Sequence, residues 1–413
     1  MNEKAVDKRL LLLALSIVIL SLNIRGPITS VGVLTSFIRD DLQISNTLIG
    51  FLTTLPLLMF ALISPFVSKL NLKFGYGQAM GVGLILVLVG LALRSFSNVS
   101  GLLIGTGLIG AGIAIGNVLI PTIIKFKFPG HIGLMTSLFA TCTATSAAIG
   151  MGVSVPLANV LGWRGSLFLW SALAVVILVL WLPQLFHKED KLIKPDLETE
   201  KVKQIVSIYR SRFAWIIALF FGFQSMYFYS IVAWLPSILQ SHGCNPVTAG
   251  YMAVYTQMIS LPFNFIAPIL ATRMKNQKAL ASLSCLALLF GILIVWFLAN
   301  SWLLYIGLTL LGIGIGTLFS LALSFISLRA PNARLAGELS GMSQSLGYFL
   351  AALGPVFIGF IYDHTASWNG PMLIFCILAI SLFFLSLVVG RNDTVFSSGK
   401  DIIGKISSQE DVS

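Results

Sequence analysis

Apolar runs of about twenty residues recur along the whole chain, and that pattern leaves few folds open. In hydrocarbon, backbone N–H and C=O groups must be satisfied within the protein, so isolated runs of this length become membrane-spanning helices. Twelve spans are read near residues 10–38, 47–70, 76–96, 101–125, 133–158, 163–186, 213–239, 247–272, 278–299, 302–327, 336–361 and 369–390. The first lacks a small-residue cleavage site and is too long for a signal-peptide core, so it is read as a true span. With 57% hydrophobic and only 10% charged residues in 413, the chain has too little charge to cover a soluble surface.

The net charge of +11 has a simple explanation in its placement. With the N-terminus inside, 22 of the 26 Lys and Arg fall on cytoplasmic segments, and the exceptions are Arg25, Arg39, Arg94 and Arg164. The positive-inside rule accounts for that bias, so no nucleic acid partner is expected. An even span count puts both termini in the cytoplasm of a multi-pass protein of the cytoplasmic membrane. The one long polar interruption, 187–212, is rich in Lys, Glu and Asp and reads as a cytoplasmic linker. It separates an N-terminal six-helix half (1–186) from a C-terminal one (213–390), and 391–413 reads as a cytoplasmic tail. The four cysteines have no metal-site or disulfide spacing, so no metal and no cofactor are expected.

The halves match each other at a shift of about 204 residues. Ser21-Leu-Asn-Ile-Arg25 aligns with Ser225-Met-Tyr-Phe-Tyr229, Gly110-Ala-Gly112 with Gly312-Ile-Gly314, and Trp163-Arg-Gly165 with Trp368-Asn-Gly370. A parallel repeat of two six-span halves places a site between them near the midplane. On that alignment Arg25 of span 1 faces Tyr229 of span 7. The glycines of spans 4 and 10 read as close helix packing.

Arg25 is the charged residue read as deep in a span. A guanidinium cannot shed its proton, so at depth it faces a bundle interior or a watery cavity. Helical spacing puts Ser21, Arg25, Thr29, Gly32 and Ser36 on one face, and Pro27 deprives the Asn23 carbonyl of its donor. Asn23, Thr29, Asn117, Gln224, Tyr229, Gln257, Gln344 and Tyr348 complete the candidate substrate-binding set around Arg25. Lys125 is read either as a snorkelling end residue or as a gate residue, and Glu338 as a local ion pair with Arg334 or a second gate residue. No catalytic residue is assigned: a membrane-embedded enzyme would want paired acidic or His residues at depth, and none is present. A non-transporting membrane sensor or receptor is the alternative from another class.

With these residues in view, the chain resembles the major facilitator superfamily and, more narrowly, its cyanate/2-nitroimidazole transporter family. The resemblance rests on Asn23-Ile-Arg25-Gly-Pro-Ile-Thr29-Ser-Val-Gly32, Gly110-Ala-Gly-Ile-Ala-Ile-Gly-Asn117-Val-Leu-Ile-Pro121-Thr-Ile-Ile-Lys125 and Ala233-Trp-Leu-Pro236. Leu339-Ser-Gly-Met-Ser-Gln344-Ser-Leu-Gly-Tyr348 and Ala352-Leu-Gly-Pro355 extend it into the second half. Between spans 2 and 3, Ser68-Lys69-Leu-Asn71-Leu-Lys73-Phe-Gly75 keeps the superfamily's bases and glycine but lacks its aspartate. The resemblance implies an all-α membrane protein of twelve transmembrane helices in two pseudo-symmetric halves. It also implies alternating access for a small planar polar or anionic solute, with proton coupling and function as a monomer as further expectations. Drug or nitroheterocycle efflux on the same fold is the alternative.

Overall fold

The computed structural model describes residues 3–96, 98–185, 208–297 and 302–395. Most of the linker read at 187–212 and the tail beyond Val395 lie outside the described residues. The rest is almost wholly helical. Eleven stretches are long and apolar enough to cross a membrane, and the longest, Pro129–Leu185, bends at Gly162 and makes two crossings. The count is therefore twelve among the described residues. Gly162 has φ 71°, a conformation that only glycine adopts freely, which lets spans 5 and 6 reverse without a loop.

Several spans begin at a side chain that accepts from a backbone N–H otherwise left without a partner. Ser45 accepts from Leu48 N, Asn98 from Gly101 N, Ser211 from Ala214 N, Asn245 from Thr248 N and Asn332 from Leu335 N. The first residue of span 1, the last of span 6, the first of span 7 and the last of span 12 share one end of the bundle, here called the terminal end.

The halves repeat each other in packing as well as in sequence. A Cβ built on Gly110 of span 4 would stand 2.9 Å from Met59 Cβ and 3.0 Å from Pro56 Cα of span 2. One on Gly312 of span 10 would stand 2.6 Å from the Thr256 carbonyl and 2.8 Å from Ile259 Cβ of span 8. Equivalent glycines thus bring equivalent helices together, where any larger side chain would force them apart.

Span 1 departs from the continuous helix expected over 10–38. It runs as Glu3–Ser21, leaves the helix at Leu22–Arg25, resumes as Gly26–Val33 and turns again at Leu34 into Thr35–Leu42. Pro27, with no N–H of its own, sits in the first turn of the resumed helix. Ser146 of span 5 bridges the break: its hydroxyl accepts from Gly26 N at 2.8 Å and donates to the Leu22 carbonyl at 2.5 Å. The break also undoes the polar stripe expected along this span. Ser21 is buried and bonded to the Ile17 carbonyl, whereas Gly32 and Ser36 are exposed.

Contacts between the halves are concentrated on one side of the midplane. Ser137 of span 5 donates to the Phe265 carbonyl of span 8 at 2.5 Å, and Ser327 of span 10 to the Pro121 carbonyl of span 4 at 3.3 Å. Ser345 of span 11 donates to the Ala61 carbonyl of span 2 at 2.7 Å. Gly133 abuts Thr272 and Pro268, and Gly341 abuts the Ser64 carbonyl. All of these lie between the middle of the bundle and the terminal end. Among the described residues no hydrogen bond joins the halves farther out, so this conformation is closed at the terminal end.

Candidate functional site

Arg25 stands at the far edge of that contact zone, where the break in span 1 delivers it to the seam between the halves. Its side chain is 8% exposed. The guanidinium carbon lies 4.5 Å from the ring centre of Phe319 in span 10, and 4.9 Å and 5.7 Å from those of Phe228 and Tyr229 in span 7. All three fall within the range at which a ring's negative face attracts a cation. The pairing of Arg25 with Tyr229 suggested by the repeat is therefore a contact in the structure. The described carboxylates near the bundle lie at its ends, in Asp40, Asp41, Glu338, Asp363 and Asp393. Among the described residues the cation is sheltered by these ring faces and by the Tyr348 phenol, with no carboxylate beside it.

Beside Arg25, Tyr348 of span 11 forms the base of the cluster and interacts with its guanidinium. Asn117 of span 4 donates from Nδ2 to the Tyr348 hydroxyl at 3.4 Å, and Gln344 donates from Nε2 to the Asn117 carbonyl at 2.8 Å and to Ser340 Oγ at 2.9 Å. Phe60 and Phe221 hold the Tyr348 ring edge-on, at 4.7 and 5.9 Å between centres. Five sequence candidates, Arg25, Asn117, Tyr229, Gln344 and Tyr348, thus converge at the seam.

The other candidates sit apart from this contact set. Thr29 is turned onto span 5, where its hydroxyl reaches the Ala147 carbonyl at 3.2 Å. Gln224 is buried and accepts from the Ser225 hydroxyl at 3.3 Å, and Gln257 donates to Ser260 Oγ at 3.4 Å, one turn along its own helix. Asn23 is buried with both amide atoms lacking a protein partner, and it borders a cavity of about 20 Å³ lined by Leu20, Ile24, Val87 and Ile113. A void of that size takes a single water, not a solute. Lys125 is half-buried in the last turn of span 4, one turn beyond the Pro121 carbonyl that Ser327 holds. Glu338 accepts from Arg334 Nε at 3.1 Å, the local ion pair expected for it.

One buried cation, Arg94, corrects the expectation that Arg25 alone is deep, and a second, Arg329, is buried at the terminal end. Arg94, read on the outer side at the end of span 3, has a relative exposure of 0%; Nη1 donates to the Pro27 carbonyl at 2.7 Å, while Nε and Nη2 have no partner among the described residues. It sits in the last turn of span 3 and turns inward, with Gly105 of span 4 packed close against its backbone. Arg329, at the terminal end of span 10, donates from Nε to the Val389 carbonyl and from Nη2 to Gln277 Oε1. It ties spans 10 and 12 to the loop between spans 8 and 9. Sequence reasoning also missed Phe228 and Phe319. Nothing in the linear pattern distinguishes them among 29 phenylalanines.

Comparison with known proteins follows from this geometry. Residues 11–355 match the Major Facilitator Superfamily. The chain is 42% identical to an uncharacterized transporter, YycB, of Bacillus subtilis (strain 168), over 93% of this chain and 94% of that one. It is 35% identical to the 2-nitroimidazole transporter of Escherichia coli (strain K12), covering 94% and 98%, and 24% identical to the cyanate transport protein CynX of the same organism, covering 90% and 96%. Among solved structures, the fold is similar to that of the proton:xylose symporter XylE, with a TM-score of 0.75 at 14% identity over 94% of this chain and 98% of that one.

Proposed function

This chain belongs to the Major Facilitator Superfamily and is a membrane transporter, not an enzyme; on that premise we propose that Arg25 anchors a small planar or anionic solute carried by alternating access. The observation that carries this reading is a buried guanidinium held by ring faces and the Tyr348 phenol, with no carboxylate partner among the described residues. An unpaired cation at depth is costly, and an acceptor that meets its forked donors offsets that cost. Carboxylate, nitro and cyanate groups each supply such an acceptor, and Arg binds planar acceptors bidentately where Lys cannot. The relatives named for 2-nitroimidazole and cyanate support the same class. The aromatic shell of Phe228, Tyr229 and Phe319 favours a flat solute that also stacks, which supports a nitroheterocycle over a sugar-like one.

In this reading the N-terminal half brings Arg25 and Asn117, and the C-terminal half brings Tyr229, Gln344, Tyr348 and the aromatic faces. Opening of the Ser137–Phe265, Ser345–Ala61 and Ser327–Pro121 contacts exposes the site at the terminal end. The basic residues of that end support a cytoplasmic location for it, with residues 187–212 as a linker between the halves and the protein in the cytoplasmic membrane. The protein works as a monomer. Proton coupling, if the cycle uses it, does not run through a carboxylate at the seam.

The test is transport of 2-nitroimidazole and of cyanate by purified protein in proteoliposomes. Arg25→Ala should reduce transport by about thirtyfold or more, the equivalent of the ~2 kcal/mol of a hydrogen bond to a charged group. Arg25→Lys should recover only a small part. Full transport by correctly inserted Arg25→Ala would overturn the assignment.

A further inference from the structure

A second cavity lies away from the central seam, on the flank where span 2 meets span 11. Its volume is about 370 Å³, and Ala61, Pro65, Trp215, Met342, Leu346 and Phe349 are among its lining residues. It opens sideways: Trp215 and Phe349 are exposed, on a face where a membrane protein meets lipid. Met342 to Phe349 along span 11 covers about 10 Å, so the groove is elongated along the bundle, as a hydrocarbon chain is.

The rim at the terminal end has the opposite character. Ala61, Pro65 and Lys69 repeat at intervals of four along span 2, so Lys69 continues the groove face toward that end, and it is exposed. Across the groove, the short turn Ile208–Arg210 leads into span 7 at Arg212, and Arg210 and Arg212 are both exposed. Ile208 is fully buried, and Trp215 Nε1 donates to the Tyr209 carbonyl at 2.8 Å, which fixes this turn against the bundle. The nearby acid, Glu338, is taken up by Arg334. None of the ion pairs among the described residues involves Lys69, Arg210 or Arg212. An apolar slot with an aromatic pair at its mouth and three free basic side chains above it matches one ligand chemistry: an acyl chain below an anionic headgroup.

We infer that this groove is a binding site for an anionic phospholipid, with one acyl chain between spans 2 and 11 and the phosphate near Lys69, Arg210 and Arg212. The groove is walled by both halves, joined there by the Ser345–Ala61 hydrogen bond and the Gly341–Ser64 approach. Rocking that opens the terminal end parts these walls. A lipid seated there binds the two conformations unequally and so biases the transport cycle. This site is independent of the solute assignment, and either can fail without the other.

The experiment uses the full-length protein reconstituted in nanodiscs of phosphatidylcholine with one-quarter phosphatidylglycerol, extracted and weighed by native mass spectrometry. Wild type should retain phosphatidylglycerol at least tenfold over its share in the bilayer. The triple substitution Lys69→Gln, Arg210→Gln, Arg212→Gln should bring retention down to the phosphatidylcholine level. Leu346→Trp, which fills the slot and leaves the charges in place, should lower it independently. Equal retention of the two lipids by wild type, or retention unmoved by both variants, would overturn the proposal.

Discussion

The Tyr348 hydroxyl accepts a hydrogen bond from Asn117 Nδ2 at 3.4 Å, and this contact joins the two halves at their midline. The phenol also lies beside the Arg25 guanidinium, with its ring lodged between Phe60 of span 2 and Phe221 of span 7. Tyr348→Phe keeps the packing and removes the acceptor. A neutral hydrogen bond is worth about 0.5–1.5 kcal/mol, so KM should rise by a factor of about two to ten with expression unchanged. An unaltered KM would remove the hydroxyl from the site.

The closed terminal end rests on glycines that admit a neighbouring carbonyl. A Cβ at Gly341 would stand 2.7 Å from the Ser64 carbonyl, so Gly341→Val forces spans 2 and 11 apart. Overpacking of this kind costs about 1–3 kcal/mol, enough to shift the balance of conformations by about five- to 150-fold. A cysteine placed at the buried Thr122, in a background without the four native cysteines, should become reactive to a polar maleimide only when Gly341→Val is also present. Equal labelling with and without the valine would count against the gate.

Arg94 holds the Pro27 carbonyl just past the break from which Arg25 projects. Replacing a poorly paired buried charge by an apolar residue of similar length is often neutral or stabilising. Arg94→Met should therefore leave the melting temperature within a few degrees of wild type, yet raise KM several-fold because the Gly26–Val33 helix loses its fixed position. A fall in melting temperature with KM unmoved would assign Arg94 to stability alone.

These cases mark what was legible in the sequence. The spans, the repeat, the deep Arg25 and the polar Asn117, Gln344 and Tyr348 are readable because polar groups at membrane depth are rare enough to count. Arg94 was not, since its place in the last turn of a span gives no direction, and its partner, the Pro27 carbonyl, lies on another span. The break in span 1 was half legible: Pro27 marks it, but its start at Leu22 depends on Ser146, which lies more than a hundred residues away. The aromatic shell was hidden by abundance.

At the far end, Asp41 accepts from Trp163 Nε1 at 3.1 Å and from Arg164 Nη1 at 2.6 Å, tying the end of the first segment to the corner at Gly162. The hydrogen bond from Arg164, then that from Trp163, holds the carboxyl below the usual carboxylate range. A lowered folded pKa gives stability that is present above the unfolded pKa and lost as pH falls through the folded one. Thermal unfolding should then show Asp41→Asn less stable than wild type by a margin constant from pH 5 to 8, and the margin should close on acidification below the normal carboxyl pKa. A margin that varied between pH 5 and 8 would point to another group.

Arg25 belongs to one half and the rings it rests on belong to the other, so in the proposed alternating-access cycle each rocking drags the cation across them. Breaking a buried ion pair at such a place costs about 3–5 kcal/mol, a latch that would slow each turnover by more than a hundredfold. Ring faces attract a guanidinium by only about 0.5–2 kcal/mol and with little demand on direction. The seam is built less like a latch than like a bearing, on which a charge can slide without being let go.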